Sequence, residues 1–427
     1  MKEVTNYKRV ARYEAEPLPG DDVILAYSGG LDSSVILKML IENYKVKVHA
    51  VCVNIGQRED LTPIKEKALS IGAVTCDIVN AVNRFAVDQC YEAISFNADY
   101  EGGYHLFCPL GRIAISKVLV EYANKYNCTT IVHAATGKGN DQIRFDNYIT
   151  TLNPGLKILA PVREWSMGRE AEIEYAKKHN IPVTASLEKI YSYDENLWGC
   201  SAEGGEIEDF KKVPPLDRIL KFTNLPENAP DVPEYVKINF SYGKPTSIVK
   251  IDPTIEDSSF IPAQKPIEII QNANEIGRLH GIGITHLVED RVLGLKVRGI
   301  YEEPGAEILI QAHKALEKAV STKEEIQFKE LVDRQWAQLV YEGRYFHPLM
   351  KSLNYYITGL CYRIDGDVTV RLYKGRAEVV AIKSKYCLNN EASSFVKDGD
   401  FNQNASAGFI EHFNYTQRLT NNLLNYK

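Results

Sequence analysis

Short apolar runs alternate with helical patterns along the first half of the chain, and this alternation limits the fold more than any other feature. Val23-Ile24-Leu25-Ala26-Tyr27 reads as a buried strand, Ser33 to Tyr44 as a helix, Val46 to Val53 as a strand and Leu61 to Ile71 as a helix. Cys76 to Val79, Thr129 to Ala135 and Lys157 to Val162 supply further strands, and Pro109 to Tyr126 and Arg169 to His179 further helices. Apolar strands separated by helices belong to a parallel sheet covered on both faces, so the expected class is α/β. A chain of 427 residues is long enough for two or three domains with cores of their own.

The pattern changes near residue 188. Lys211 to Tyr235 carries five prolines and reads as an irregular connection. Strand-like stretches follow at Tyr235 to Phe240 and Ser247 to Ile251, then a helix from Pro266 to His280 and a hairpin folded across Lys374-Gly375. The expected division is an extension at 1–20 with little order, a parallel-sheet domain at 21–188 and an α+β domain at 189–427 that ends in a helix.

Composition bounds the partners. A formal net charge of −6 argues against a general nucleic-acid surface, which needs clustered Lys and Arg. No apolar run is long enough to span a bilayer, and Met1 to Gly20 lacks the apolar stretch of a signal peptide. The eight cysteines form no CxxC pair; scattered in this way they suggest free thiols in a reducing cytoplasm and no metal site.

The strongest local signal is Ser28-Gly29-Gly30-Leu31-Asp32-Ser33, set between a predicted strand and a predicted helix. Two glycines allow a sharp turn and close backbone approach. The unpaired N–H groups that open the helix, with its dipole, favour a phosphate, and Ser28, Ser33 and Ser34 add hydroxyls. The run lacks the Lys of a Walker A loop. It resembles the PP-loop of ATP pyrophosphatases, which cleave between the α- and β-phosphates.

The resemblance narrows further along the chain. Ala26-Tyr27-Ser28-Gly29-Gly30-Leu31-Asp32-Ser33-Ser34 is similar to the N-terminal signature of argininosuccinate synthases, which usually has Thr where this chain has Ser33. Asn54-Ile55-Gly56-Gln57, Ala135-Thr136-Gly137-Lys138-Gly139-Asn140-Asp141-Gln142 with Arg144, Asp194 to Trp198, His280 to Gly283, Gly299 to Glu302 and Ala407 to Ile410 continue the match. It implies a PP-loop nucleotide-binding domain followed by a synthetase and multimerisation domain whose C-terminal helix holds a homotetramer. It also implies an ATP- and Mg²⁺-dependent ligase that adenylates the ureido oxygen of citrulline or a related compound and then admits the aspartate amine.

By that resemblance Ala26 to Ser34, with Val53 and Gly137, hold ATP, and Thr136, Asn140 and Asp141 hold aspartate. Tyr104, Cys108, Pro109, Asn140, Arg144, Ser192, Ser201, Glu289 and Tyr301 fall at citrulline contacts. Asp32, Asn140, Asp141 and Arg144 are the residues expected to matter most for catalysis. Arg144 offers a planar fork suited to a carboxylate, and Glu289 suits an ammonium. His133 reads as a packed, hydrogen-bonded histidine.

One segment departs from the family. Where the family usually reads Tyr-Glu-x-Arg-Tyr-x-Leu-Gly-Thr-Ser-Leu-Ala-Arg, this chain has Gly103 for the Arg, Phe107 for the Gly, Cys108 for the Thr and Pro109 for the Ser, with Tyr104 and Arg112 kept. Cysteine is a weak donor and proline has neither hydroxyl nor N–H, so the ureido-side pocket is expected to be remodelled. Three readings therefore stand. The first is a ligase acting on citrulline or on another ureido compound. The second is a PP-loop enzyme of another chemistry such as RNA thiolation, which the acidic balance disfavours. The third is a silent homologue, which intact Asp32, Asn140, Asp141 and Arg144 disfavour.

Overall fold

A computed structural model describes residues 7–165, 169–182, 190–255, 262–394, 396 and 401–424. The first half forms a five-stranded sheet of order β3-β2-β1-β4-β5, from β1 (Asp22–Ala26), β2 (Lys47–Asn54), β3 (Thr75–Asn80), β4 (Thr130–Val132) and β5 (Lys157–Leu159). All its ladders are parallel. Val23, Ile24, Leu25, Ile131 and Val132 are fully buried because helices cover both faces, which is why these strands carry no polar alternation.

The order places the two central strands, β1 and β4, side by side, with Leu25 paired to Val132. Chain connections leave them in opposite directions across the sheet. In such sheets the crevice at the C-terminal ends of the strands receives ligands. The end of β1 opens into residues 27–30 and the end of β4 into residues 133–140, so both Gly-rich turns arise at that crevice.

The second half holds two antiparallel sheets. One has the order β10-β11-β7-β6, from β6 (Ser192–Asn196), β7 (Gly199–Glu203), β10 (Ile284–Asp290) and β11 (Lys296–Glu302). The other has the order β13-β12-β8-β9, from β8 (Glu234–Ser241), β9 (Lys244–Ile251), β12 (Gly366–Tyr373) and β13 (Arg376–Lys383), the last two forming the expected hairpin. Three long helices, Pro304–Val320, Lys323–Tyr341 and Pro348–Cys361, pack among them. The largest core cluster runs from Ile24 through Phe107 and Trp198 to Leu372, so one apolar interior joins the two halves.

Three expectations change. The helix read from Ser33 to Tyr44 runs as an α-helix over Leu31–Met39 and widens into a π-helix over Leu40–Tyr44. The helix read from Pro109 starts two residues earlier, at Phe107. The expected loose extension is tied down from residue 7 onward; residues 1–6 lie outside the described residues. Arg9 pairs with Glu164 at 2.7 Å, Tyr13 O–H donates to Asp146 at 3.2 Å, and the backbone of residues 13–15 joins Ile158. The expected division at 188/189 and the final residue of the C-terminal helix read to Tyr426 also lie outside the described residues.

Candidate active site

At the end of β1, Gly29 takes φ +77°, and a Cβ there would sit 2.8 Å from Ile64 Cγ1, so both conformation and space call for glycine. Ser28 Oγ lies 3.2 Å from Ser33 Oγ, and Ser34 Oγ donates to the Gly30 carbonyl at 2.6 Å. Ser34 is fully buried against the Tyr27 hydroxyl, so it shapes the turn and does not offer its hydroxyl outward, as the sequence suggested. Ser28, Gly30 and Asp32 are exposed. Lys67, from the Thr62–Ile71 helix, donates to the Gly29 carbonyl at 2.6 Å, and burial lowers its pKa. Val53 is buried near the end of β2 and its carbonyl accepts from Gln57.

At the end of β4, Thr136, Gly137 and Lys138 form an exposed turn that leads into the Asp141–Leu152 helix. Asn140, at its N-cap, donates through Nδ2 to the Tyr341 hydroxyl at 2.9 Å and accepts the Val292 N–H. Arg144 donates through Nε and Nη2 to the Tyr341 carbonyl and through Nη1 to Asp141 Oδ1 at 2.9 Å. Asp141 also receives Arg112 Nε at 2.9 Å, and Arg112 Nη2 reaches Asp194 on β6 at 2.7 Å. Burial pushes Asp141 up, but Arg112 and Arg144 outweigh it and hold the carboxyl well below its ordinary range. Cys108 Sγ lies 3.5 Å from Asp141 Oδ1. Cys108, Asp141 and Asp194 bring ligand atoms within 4.8 Å of one another, but the two guanidiniums already neutralise the carboxylates, which does not suit a metal.

The adjoining wall is aromatic. The Tyr104 ring lies 4.4 Å from Tyr301, and Phe107 packs edge-on to both. Tyr301 O–H donates to Glu289 Oε2 at 2.9 Å; burial raises the Glu289 pKa against the pull of that bond and of Arg144. Ser201 is buried on β7, opposite Tyr301 in the ladder. Ser192 is exposed at the start of β6, on the same face as Asp194.

The altered segment has its own framework. Gly103 has φ +142°, and a Cβ would fall 2.7 Å from Thr285 Cγ2. Leu106 is fully buried in the left-handed region at φ 66°. Its flanking peptides are fixed by the Glu303 carboxylate, which accepts the His105 N–H at 2.8 Å and the Phe107 N–H at 3.3 Å. Trp198 Nε1 and Asn196 Nδ2 hold the carbonyls of His105 and Phe107. Glu303 therefore caps the Phe107–Lys125 helix from a distance, which is why the helix starts ahead of Pro109. Burial pushes Glu303 up to about 7, against the charge of His105 and the two N–H groups. Burial also opposes protonation of His105, yet its bond to Glu307 and the charges of Glu303 and Glu307 carry it up to about 9.

The sequence profile of the Arginosuccinate synthase N-terminal HUP domain matches residues 22–182, and that of the Arginosuccinate synthase C-terminal domain matches residues 191–420. The argininosuccinate synthase of Caldanaerobacter subterraneus is 44% identical over 404 residues, which cover 94% of this chain and 96% of that protein. Those of Thermoanaerobacter pseudethanolicus and Pyrococcus furiosus are each 43% identical, covering 94% of this chain and 96% and 95% of their own lengths.

The chain belongs to the argininosuccinate synthase family.

The structure brings Asn140, Asp141, Arg144 and Cys108 into one contact network, and Tyr104, Tyr301 and Glu289 into a second. Asp32, Thr136, Gly137 and Ser192 stand exposed outside both. Pro109 is buried in the first turn of the Phe107–Lys125 helix. His133 is buried with Nε2 at 2.9 Å from Asp146, as a packed histidine should be. Sequence reasoning missed Lys67, Asp194, Glu303 and Tyr341 as parts of the candidate site, and kept Arg112 without giving it a role. Asp194 and Arg112 both lay in segments carrying the argininosuccinate synthase resemblance, which was the available signal. Tyr341 and Glu303 had no local signal, since their partners are about 200 residues away. Among the described residues no helix is long and apolar enough to cross a membrane.

Proposed function

We propose that this chain is an AMP-forming carbon–nitrogen ligase that joins aspartate to the ureido carbon of citrulline or of a citrulline-like compound. The observation that carries this is the placement of two Gly-rich turns at adjacent strand ends, next to the Asn140–Asp141–Arg144 network and the Tyr301–Glu289 pair. In this reading residues 26–34, with Val53 and Gly137, take ATP, and the turn at 28–30 cradles its phosphates. Thr136, Asn140 and Asp141 take aspartate. Tyr104, Cys108, Pro109, Asn140, Arg144, Ser192, Ser201, Glu289 and Tyr301 surround the ureido compound. The ureido oxygen attacks the α-phosphorus and pyrophosphate leaves. The aspartate amine then attacks the ureido carbon and AMP leaves. A urea carbon is a weak electrophile until its oxygen is adenylated, so the chain's main work is to position three substrates and steady charge.

Mg²⁺ bound to the triphosphate would offset its charge, and the exposed Asp32 carboxylate at the loop suits that ion's coordination through oxygen. A homotetramer is the proposed assembly. Residues 401–424, with the helices Asn404–Phe413 and Tyr415–Leu424, contain no buried residue, yet they present Phe409, Phe413 and Leu423 at 64%, 72% and 72% exposure. An apolar arm of this kind suits a subunit contact. Light scattering should give a multimer, and deletion of 401–427 should lower its order. All eight cysteines are free, in keeping with a cytoplasmic setting.

The decisive test is pyrophosphate release from ATP with aspartate and a panel of ureido compounds. Release that requires both co-substrates supports the reading; absence with every compound contradicts it. The wall at residues 103–109 favours a second form of the same reading, a paralogue whose ureido substrate differs from citrulline.

A further inference from the structure

The ureido-side pocket offers an acceptor for a cation but keeps its partners for a carboxylate engaged. Arg112 is shared between Asp141 and Asp194. Arg144 gives Nε and Nη2 to the Tyr341 carbonyl and Nη1 to Asp141. Arg291 donates to Glu203 at 2.8 Å. The N-terminus of the Phe107–Lys125 helix is the remaining natural seat for an acid, because its first N–H groups have no partner within the helix. There the Phe107 N–H goes to Glu303, Pro109 has no N–H and the Leu110 N–H closes on the Leu106 carbonyl, which leaves the Cys108 N–H as a single donor next to the Glu303 carboxylate. Glu303 is 1% exposed, so the chain has placed its own carboxylate at that helix end.

The opposite charge is treated differently. Glu289 is 4% exposed and receives only Tyr301 O–H among the hydrogen bonds of the described residues, with Arg291 Nε at 3.8 Å. A buried carboxylate left with that little support suits an incoming ammonium.

We infer that the preferred acceptor is a ureido compound with a cationic amine and no free carboxylate, such as a ureidoalkylamine or a citrulline whose carboxyl group is an amide. This rests on the ligase reading and specifies its substrate class. A free substrate carboxylate at this helix end would meet the Glu303 carboxylate beside the same N–H groups, while Arg112, Arg144 and Arg291 are already engaged elsewhere. An amide or a hydrogen in its place removes that conflict. Aspartate is unaffected, because its proposed seat includes the exposed turn at 136–138.

The test uses the full-length protein with ATP, Mg²⁺ and aspartate, and reads initial pyrophosphate release with citrulline, citrullinamide and 4-ureidobutylamine. The kcat/KM for each carboxylate-free compound should exceed that for citrulline by about tenfold or more. Citrulline used equally well or better would overturn the inference while leaving the ligase reading standing. No release with any of the three, from protein that still binds ATP, would overturn both. Assayed at about pH 8, where the Glu303 carboxylate is ionised, Glu303→Gln removes the charge with little change of shape, and should shift the preference toward citrulline by about fivefold or more. An unchanged ratio in folded Glu303→Gln would overturn the part assigned to Glu303, and the native protein decides the substrate class by itself if that variant does not fold.

Discussion

The phosphate loop at residues 28–34 and the wall at residues 103–109 are built in opposite ways. The loop is exposed at Ser28, Gly30 and Asp32, and its own bonds join residues two to seven positions apart, with Lys67 adding a tie from 38 residues away. The wall is mostly buried, and its anchors come from Asn196, Trp198 and Glu303, 89 to 198 residues away in sequence. A site made of local backbone keeps its motif, because few substitutions reproduce a turn such as Gly29. A site made of distant side chains can be altered from several places at once. The family signature is therefore kept at the loop apart from Ser33, a conservative change from the usual Thr, while the wall has diverged at four positions.

If the loop depends on backbone shape, its variants should show the largest loss. Gly29→Ala forces an L-residue into φ +77° and against Ile64, and Asp32→Ala removes the exposed carboxylate that the proposed reading sets beside the phosphates. Each should reduce pyrophosphate release by about a hundredfold or more while circular dichroism shows a folded protein. Near-normal release from both would remove the contrast between the two regions.

The wall should respond in a graded and non-additive way. Cys108→Thr with Pro109→Ser restores two hydroxyls but leaves the Glu303 carboxylate at the helix end. We expect citrulline kcat/KM to rise by no more than about threefold in that double variant, and by about tenfold or more once Glu303→Gln is added. Phe107→Gly, which would also make room, should cost about 3–5 kcal/mol of stability, because the ring is fully buried against Tyr104 and Tyr301. A full gain from Cys108→Thr and Pro109→Ser alone would show that the lost hydroxyls, and not Glu303, set the preference.

The same contrast explains what the sequence made legible. The parallel sheet could be read because β1 to β5 are apolar and punctuated by helices, and the loop because its glycines and serines are contiguous. Cys108 and Pro109 stood out as departures for the same reason. The reason Leu106 can sit at φ 66° could not be read, since it depends on Glu303, Trp198 and Asn196 converging from the second half. Nor could the role of Tyr341, whose hydroxyl and carbonyl both engage the Asn140–Arg144 turn. Ser34 was misjudged because a hydroxyl in a phosphate-loop motif can point inward as well as outward, and only the fold decides.

A separate effect, on stability and not on turnover, concerns charge within the wall's framework. His105 faces Glu303 and Glu307, with Lys314 acting on Glu307 from the same helix, and its pKa is carried up to about 9. The unfolded value is about 6.5. A histidine with a raised pKa contributes stability that is fully present below the unfolded value and is lost as pH rises through the folded one. Glu303, pushed up to about 7, acts in the same direction over a lower range, because the folded state holds its proton longer than the unfolded chain does. Stability should therefore fall between about pH 6.5 and pH 9, by roughly 3 kcal/mol from His105. His105→Gln keeps one donor nitrogen, for either the Ala98 carbonyl or Glu307, without a titrating charge, and should flatten that slope. Guanidinium midpoints of the native and His105→Gln proteins at pH 6 and pH 9 measure it. The native advantage should be clear at pH 6 and nearly gone at pH 9. Parallel curves would mean that His105 carries no charge in the folded wall, and that its framework rests on the Glu303 contacts alone.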